Sequence, residues 1–198
     1  MLLGKWLGIG LIQMLLTQPS FHPTLLYDVI VNNHTVGVMQ VTALPTATGL
    51  QYRVDADVRL QLLGERRMIT RFTSTYQDKL LTEARFHDQL NGKTRHDALV
   101  RWDGMAYRIL VNGAHSELNN RRVTYSTASL YLQEPLGIRE LFSERHGQFC
   151  PLRPVASHVY EMTLPDGRKN RYRYVEGVCQ EVEVQQVLFT IYFRLRHN

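Results

Sequence analysis

Apolar and polar residues alternate one by one along most of this chain. In "QYRVDADVRLQL" (51–62), one face carries Tyr52, Val54, Ala56, Val58, Leu60 and Leu62, and the other carries Gln51, Arg53, Asp55, Asp57, Arg59 and Gln61. Period two marks a half-buried strand, because successive side chains of extended backbone point to opposite faces. Strand-like runs also occupy about 26–33, 35–44, 67–76, 80–89, 94–102, 105–111, 114–118, 121–126, 156–164, 169–177 and 180–195. Turn residues separate them, notably Asn32-Asn33, Pro45 to Gly49, Gly64-Glu65, Asn91-Gly92, Asp103-Gly104, Asn112-Gly113 and Pro165 to Gly167. One stretch breaks the rhythm. "PLGIRELFSERHG" has Ile138, Leu141 and Phe142 at helical spacing and Gly147 as a stop, which predicts a short helix over 137–145. The expected fold is all-β: a strongly curved antiparallel meander sheet or open half barrel, with that one helix.

The stretch "HDQLNGKTRHD" (87–97) tests the pattern. Asn-Gly favours a two-residue loop, which pairs His87 with His96 and mixes apolar and charged residues on both faces. A three-residue loop instead pairs Leu80 with Trp102, Thr82 with Val100 and Ala84 with Ala98 on one apolar face. It sets Arg85 against Asp97 on the other. Burying each large apolar side chain contributes about 1.5–3 kcal/mol, which outweighs one turn preference. In this register His87 faces solvent near Arg95, and His96 faces the apolar side beside Phe86, so the two cannot share a metal. The next turns pair Trp102 with Met105, Val100 with Tyr107, Ala98 with Ile109, Val111 with Ala114, Tyr107 with Leu118 and Arg108 with Glu117. Residues 80–118 thus read as a four-stranded meander with one apolar face.

With 198 residues, 44% of them hydrophobic, the chain can bury one real core. The start, "MLLGKWLGIGLIQMLLTQPS", has one cation, Lys5, and an apolar run from Trp6 to Leu16, the length of an export signal and short for a membrane span. An uncleaved anchor and a core-packed helix are the alternatives. The domain plan is a signal or anchor over 1–23 and a single β domain over 24–198. Export implies membrane proximity through the leader. The formal charge is +5, and +4 without Lys5. The Arg residues are scattered among acids, which argues against nucleic-acid binding. Cys150 and Cys179 lack metal-ligand spacing. If the Pro165–Gly167 hairpin extended far enough, they would lie near each other and a disulfide would form; otherwise they are two small buried residues.

No nucleotide-binding, hydrolase or metal motif is present, so no catalytic residue, metal ligand or cofactor is assigned. Glu140 and Glu144, four apart on the expected helix, read as a solvated face. "DGRKNRYRYVEG" puts Asn170, Tyr172 and Tyr174 on one face and Arg171 and Arg173 on the other. The long apolar face is more than one short helix can cover. Tyr52, Phe72, Phe86, Trp102, Tyr107, Tyr172 and Tyr174 are therefore the candidate ligand-binding residues, joined by Val54, Val100 and Ile109. The same residues also suit a filled barrel core.

The leader, "YDVIVNNHTVGVM", "LYLQEPLGIRELFSERHG" and "LPDGRKNRYRYVEG" together resemble a family of uncharacterised exported bacterial proteins, a domain of unknown function. In outline such proteins are similar to lipoprotein-carrier-like folds. The resemblance implies export to the periplasm or outer envelope of a bacterium and a curved sheet, and supplies no catalytic residue. Three functions follow as expectations. The first is non-catalytic binding of a lipid, another apolar small molecule or an envelope partner on the concave face. The second is a hydrolase or isomerase at the sheet mouth near Glu144, His146 and Tyr172. The third is a structural envelope component. A wide apolar pocket favours the first, converging ionisable groups in a deep pocket the second, and a packed interior the third. Ligand identity and oligomeric state are not encoded in any motif.

Overall fold

The structure is a computed structural model that describes residues 24–61 and 64–196. The N-terminal run and Leu62 lie outside the described residues. Alternating burial produces the strands β1 (Thr24–Val31), β2 (His34–Thr46), β3 (Gly49–Gln61), β4 (Glu65–Gln77), β5 (Leu80–Leu90), β6 (Lys93–Trp102), β7 (Ala106–Val111), β8 (Ala114–Asn119), β9 (Glu140–Ser143), β10 (Gln148–Ala156), β11 (Val159–Thr163), β12 (Lys169–Val175), β13 (Val178–Gln185) and β14 (Thr190–Leu195). They form one antiparallel sheet in the order β8-β7-β6-β5-β4-β3-β2-β1-β14-β13-β12-β11-β10-β9. β1 sits mid-sheet between β2 and β14, so the meander runs outward from it in both directions. Five turns, at Asn32-Asn33, Asp78-Lys79, Asn91-Gly92, Asn112-Gly113 and Glu176-Gly177, have both residues at positive φ. This mirror-image turn matches the right-handed strand twist.

The sheet is curled and not closed. Its two ends approach where the turn after β9 packs on the inner face of β7: a Cβ built on Gly147 falls 2.5 Å from Ile109 Cγ2. The connection from β8 to β9 runs through the interior. Val123 accepts from Leu81 N (2.9 Å), Tyr125 accepts from Phe142 N (3.1 Å), and Ser126 bridges to Phe142. A 3₁₀ turn, Thr127–Tyr131, then buries Ala128, Leu130 and Tyr131 in the main core. The buried part of this connection, Val123 to Tyr131, thus packs into the interior; we call the connection, residues 121–139, the plug. No helix among the described residues is long and apolar enough to cross a membrane.

Several expectations are corrected. The helix over 137–145 is absent; Glu140–Ser143 is strand β9. Leu141 and Phe142 are adjacent and both fully buried, but they enter different core clusters on opposite faces. A strand buried on both faces leaves consecutive apolar residues, which imitates a helical stripe. The run 121–126 is not a strand but the extended start of the plug. The run 180–195 is two strands.

From Ala84 onward the strand faces of the 80–118 meander are as expected, whereas a bulge at Thr82 turns Leu81 rather than Leu80 inward and Met105 is exposed; two of its registers slip by two residues. Asn91-Gly92 forms the two-residue turn, with Leu90 opposite Lys93, and a bulge beyond Asp88 restores the facing. Ala84 therefore meets Val100, and Arg85 meets Leu99. A bulge adds one residue to one strand and so reverses the parity of the ladder. Trp102 pairs with Tyr107 across a longer turn, closed by Asp103 N to Ala106 O (3.1 Å). The pairs at Asn112-Gly113 stand as expected.

The cysteines are both buried and free. The chain reverses at Ser157-His158 and at Glu176-Gly177, so the hairpin is short, and β11 and β12 separate Cys150 from Cys179.

Candidate functional site

The structure places the seven candidate ligand residues on the inner face but commits them to packing. Tyr107, Tyr172 and Tyr174 are fully buried, Phe72 and Phe86 nearly so, and Tyr52 and Trp102 are half-buried. They fall into two groups. Trp102 lies against Tyr107 (centroids 4.8 Å), and Tyr52 meets Tyr76 edge-on (5.8 Å). Phe72 packs on Phe86 (5.8 Å), while Tyr172 meets Tyr131 of the plug (6.5 Å).

Hydroxyls then pin the plug. Tyr174 donates to Leu130 O (2.7 Å) and Tyr27 to Tyr131 O (3.5 Å), while Tyr125 donates to Gln133 O within the plug. Tyr107 donates to Leu81 O (3.0 Å) and accepts from Val123 N (3.2 Å). Burial raises the phenol pKa values of Tyr27, Tyr107, Tyr125 and Tyr174, so they act as neutral donors.

Glu144 is the centre of this anchoring and was misread from sequence. It is 1% exposed. Its Oε1 accepts from Ser74 Oγ (2.6 Å) and Ala128 N (3.0 Å), and its Oε2 from Thr127 N (3.1 Å). It thereby caps the 3₁₀ turn, whose first N–H groups have no partner within the turn. Tyr76 donates to Ser126 Oγ (2.7 Å), extending the network. Glu140 is instead on the surface, paired with Arg121.

The histidines and aspartates of 87–97 separate by face. His87 stands opposite Asp97 on the outside, with Nδ1 3.0 Å from Oδ1. Asp88 stands opposite His96 on the inside. Asp88 is 1% exposed; it accepts from Thr70 Oγ1 (3.0 Å) and lies 3.6 Å from Arg95 and 3.8 Å from Arg145. His96 is held by Nε2 on Arg145 O (2.6 Å) and by Nδ1 at Asn112 Nδ2 (3.1 Å), so both ring nitrogens are engaged. His146 lies 6.3 Å from His96, with Nδ1 2.9 Å from Ser143 Oγ. Burial, with Arg145 and His96 beside it, pulls His146 down to about 4, so it is neutral at physiological pH. The Ser143 hydroxyl is buried, 3% exposed, and His146 bonds no carboxylate among the described residues, so the pair lacks both access and an orienting acid. The clue to this cluster was present in sequence: alternation from Ala84 and Phe86 puts Asp88 on the apolar face, where a charge needs partners.

Two open hollows among the described residues lie on the outer face. One, about 500 Å³, lies over β6–β8 between Leu99, Leu110 and the Arg108–Glu117 pair. The other, about 230 Å³, lies over β1–β4 and is bordered by Val38, Ile69, Asp55 and Arg71.

This barrel-like sheet with a polar-pinned interior has relatives. The model of a domain of unknown function, DUF6134, matches residues 27–196. The chain belongs to that family. A crystal structure of a β-barrel-like protein of another domain of unknown function, DUF1849, from Brucella abortus is similar to it. That match has a TM-score of 0.58 at 12% identity and covers 87% of this chain and 94% of that one. At that identity the likeness is one of fold. No curated protein matches the chain. The expectation of an uncharacterised, mainly β family with a curved sheet therefore holds.

Proposed function

We propose that this DUF6134 protein is an exported, non-catalytic envelope component whose interior serves its fold and whose outer surface makes its contacts. The observation that carries this reading is the plug. It occupies the concave side and is bonded there by Glu144 and by the hydroxyls of Tyr76, Tyr107 and Tyr174. Glu144 and Tyr172, two of the three groups suited to a site at the mouth, are consumed by packing. The apolar leader supports export.

A second reading keeps an apolar or amphipathic ligand on the concave side, exchanging with the plug. Its support is Asn170 Oδ1, a buried acceptor without a protein partner, in the same inward row as Tyr172 and Tyr174. Native mass spectrometry of protein purified from its host envelope separates the two. The first reading expects the ligand-free mass. A lipid bound reproducibly at one per chain would overturn it and establish the second.

A further inference from the structure

The two ends of the sheet are treated differently. β9 is covered: Phe142 donates to Tyr125 O, and Ser126 bridges to it. β8 is not. Among the described residues it pairs only with β7, and of Ala114–Asn119 every residue but Leu118 is exposed. An open edge is a template for another strand, and proteins ordinarily blunt it with Lys, Pro, a bulge or a cover. "AHSELN" has no Lys or Pro, and its register with β7 runs without a shift.

The hydrogen-bond directions on β8 follow from its turn. A two-residue turn closes on a hydrogen-bonded pair, here Val111 and Ala114. Ala114, Ser116 and Leu118 therefore direct their N–H and C=O groups at β7, while His115, Glu117 and Asn119 direct theirs outward. A second strand can pair only through those outward residues, which limits the antiparallel registers of β8 with itself. Centring on His115 sets His115 against itself and Glu117 against the turn glycine. Centring on Glu117 sets two carboxylates face to face, which is unfavourable. Centring on Leu118 sets His115 against Arg121. Centring on Ser116 sets His115 against Glu117 of the second copy, twice, with Ala114 against Leu118. That register closes four backbone hydrogen bonds within Ala114–Asn119 and is the one that sets an imidazole against a carboxylate at both outward pairs.

We propose that β8 is a self-association edge: two copies pair antiparallel through β8 about a twofold axis at Ser116, extending the sheet across the dimer. Arg108, paired with Glu117, holds that side chain in place on the outer face. The axis also joins the two outer hollows over β6–β8 into one continuous groove, since both outer faces lie on the same side. The inference is independent of the envelope reading, because it rests on the edge and its register alone.

Sedimentation velocity of the protein purified from its host, from micromolar to near-millimolar concentration, tests it. A concentration-dependent dimer is expected. His115→Glu, which sets carboxylates opposite each other at both pairs, weakens it on the order of ten-fold. The swap His115→Glu with Glu117→His restores it, because the pairs are re-formed with the roles exchanged. Ser116→Cys, at the axis, forms a disulfide-linked dimer in air, whereas the native buried thiols do not. Circular dichroism establishes that each variant is folded. A protein monomeric throughout, or a dimer indifferent to His115→Glu and not trapped by Ser116→Cys, overturns the proposal.

Discussion

At the scale of single residues, Glu144 has the largest structural consequence. One carboxyl group satisfies a hydroxyl of β4 and two backbone N–H groups of the plug. Truncation leaves those donors buried without acceptors, each at a cost of about 1–3 kcal/mol. Glu144→Ala is expected to destabilise the fold by roughly 2–4 kcal/mol, lowering Tm by about 5–15 °C in a thermal melt. Glu144→Gln, which keeps one acceptor oxygen, is expected to lose less. A melt unchanged by Glu144→Ala would show that the plug is held by packing alone. From sequence Glu144 looked like a solvated helix residue, because the spacing of Glu140, Leu141, Phe142 and Glu144 suits a helix as well as a strand buried on both sides. Asp88 was more legible: its position in an alternating run placed it inward, although nothing local named Arg95 and Arg145 as its neighbours.

Between elements, the decisive contact is the docking of the β9–β10 turn on β7. Gly147 has φ of +63°, and an added Cβ would sit 2.5 Å from Ile109 Cγ2. Gly147→Ala is expected to cost about 1–3 kcal/mol from backbone strain and overpacking combined. Ile109→Ala removes the clashing methyl, so the double variant is expected to be less destabilised than the sum of the two singles, read from denaturant midpoints with unchanged slope. Strict additivity would place the two groups out of contact. The β5–β6 hairpin carries the complementary lesson. Its facing was readable because burial dictates parity, while its pairing was not, because a bulge lets a two-residue turn and the correct faces coexist.

Across the whole molecule, the strand order separates Cys150 in β10 from Cys179 in β13 by two intervening strands. Adjacent strands lie about 4.8 Å apart, whereas a disulfide needs Cα atoms within about 7 Å. Both thiols are therefore expected to be free in the native protein. They are also expected to be inert, since burial pushes Cys150 up to about 11 and raises Cys179 further. Titration with a thiol reagent at pH 8 is expected to label neither in the native state and both after unfolding. A mass two hydrogens lower than the fully reduced chain would contradict this.

By itself the sequence determined the all-β class, the inward and outward faces of most of the long strands, and the places where the chain turns at Asn91-Gly92 and Asn112-Gly113. Each of these depends on period-two alternation or on a residue's own tolerance for positive φ. Only the tertiary structure decided that β1 lies mid-sheet against β14, that the sheet's ends meet at Gly147 and Ile109, and that the Val123–Tyr131 part of the plug packs into the interior. These are meetings of segments far apart in the chain, and no local pattern records which buried surface will be covered by which. For the same reason the inward aromatics could be recognised as a face, yet that the chain's own plug packs against that face was decided by where the β8–β9 connection runs.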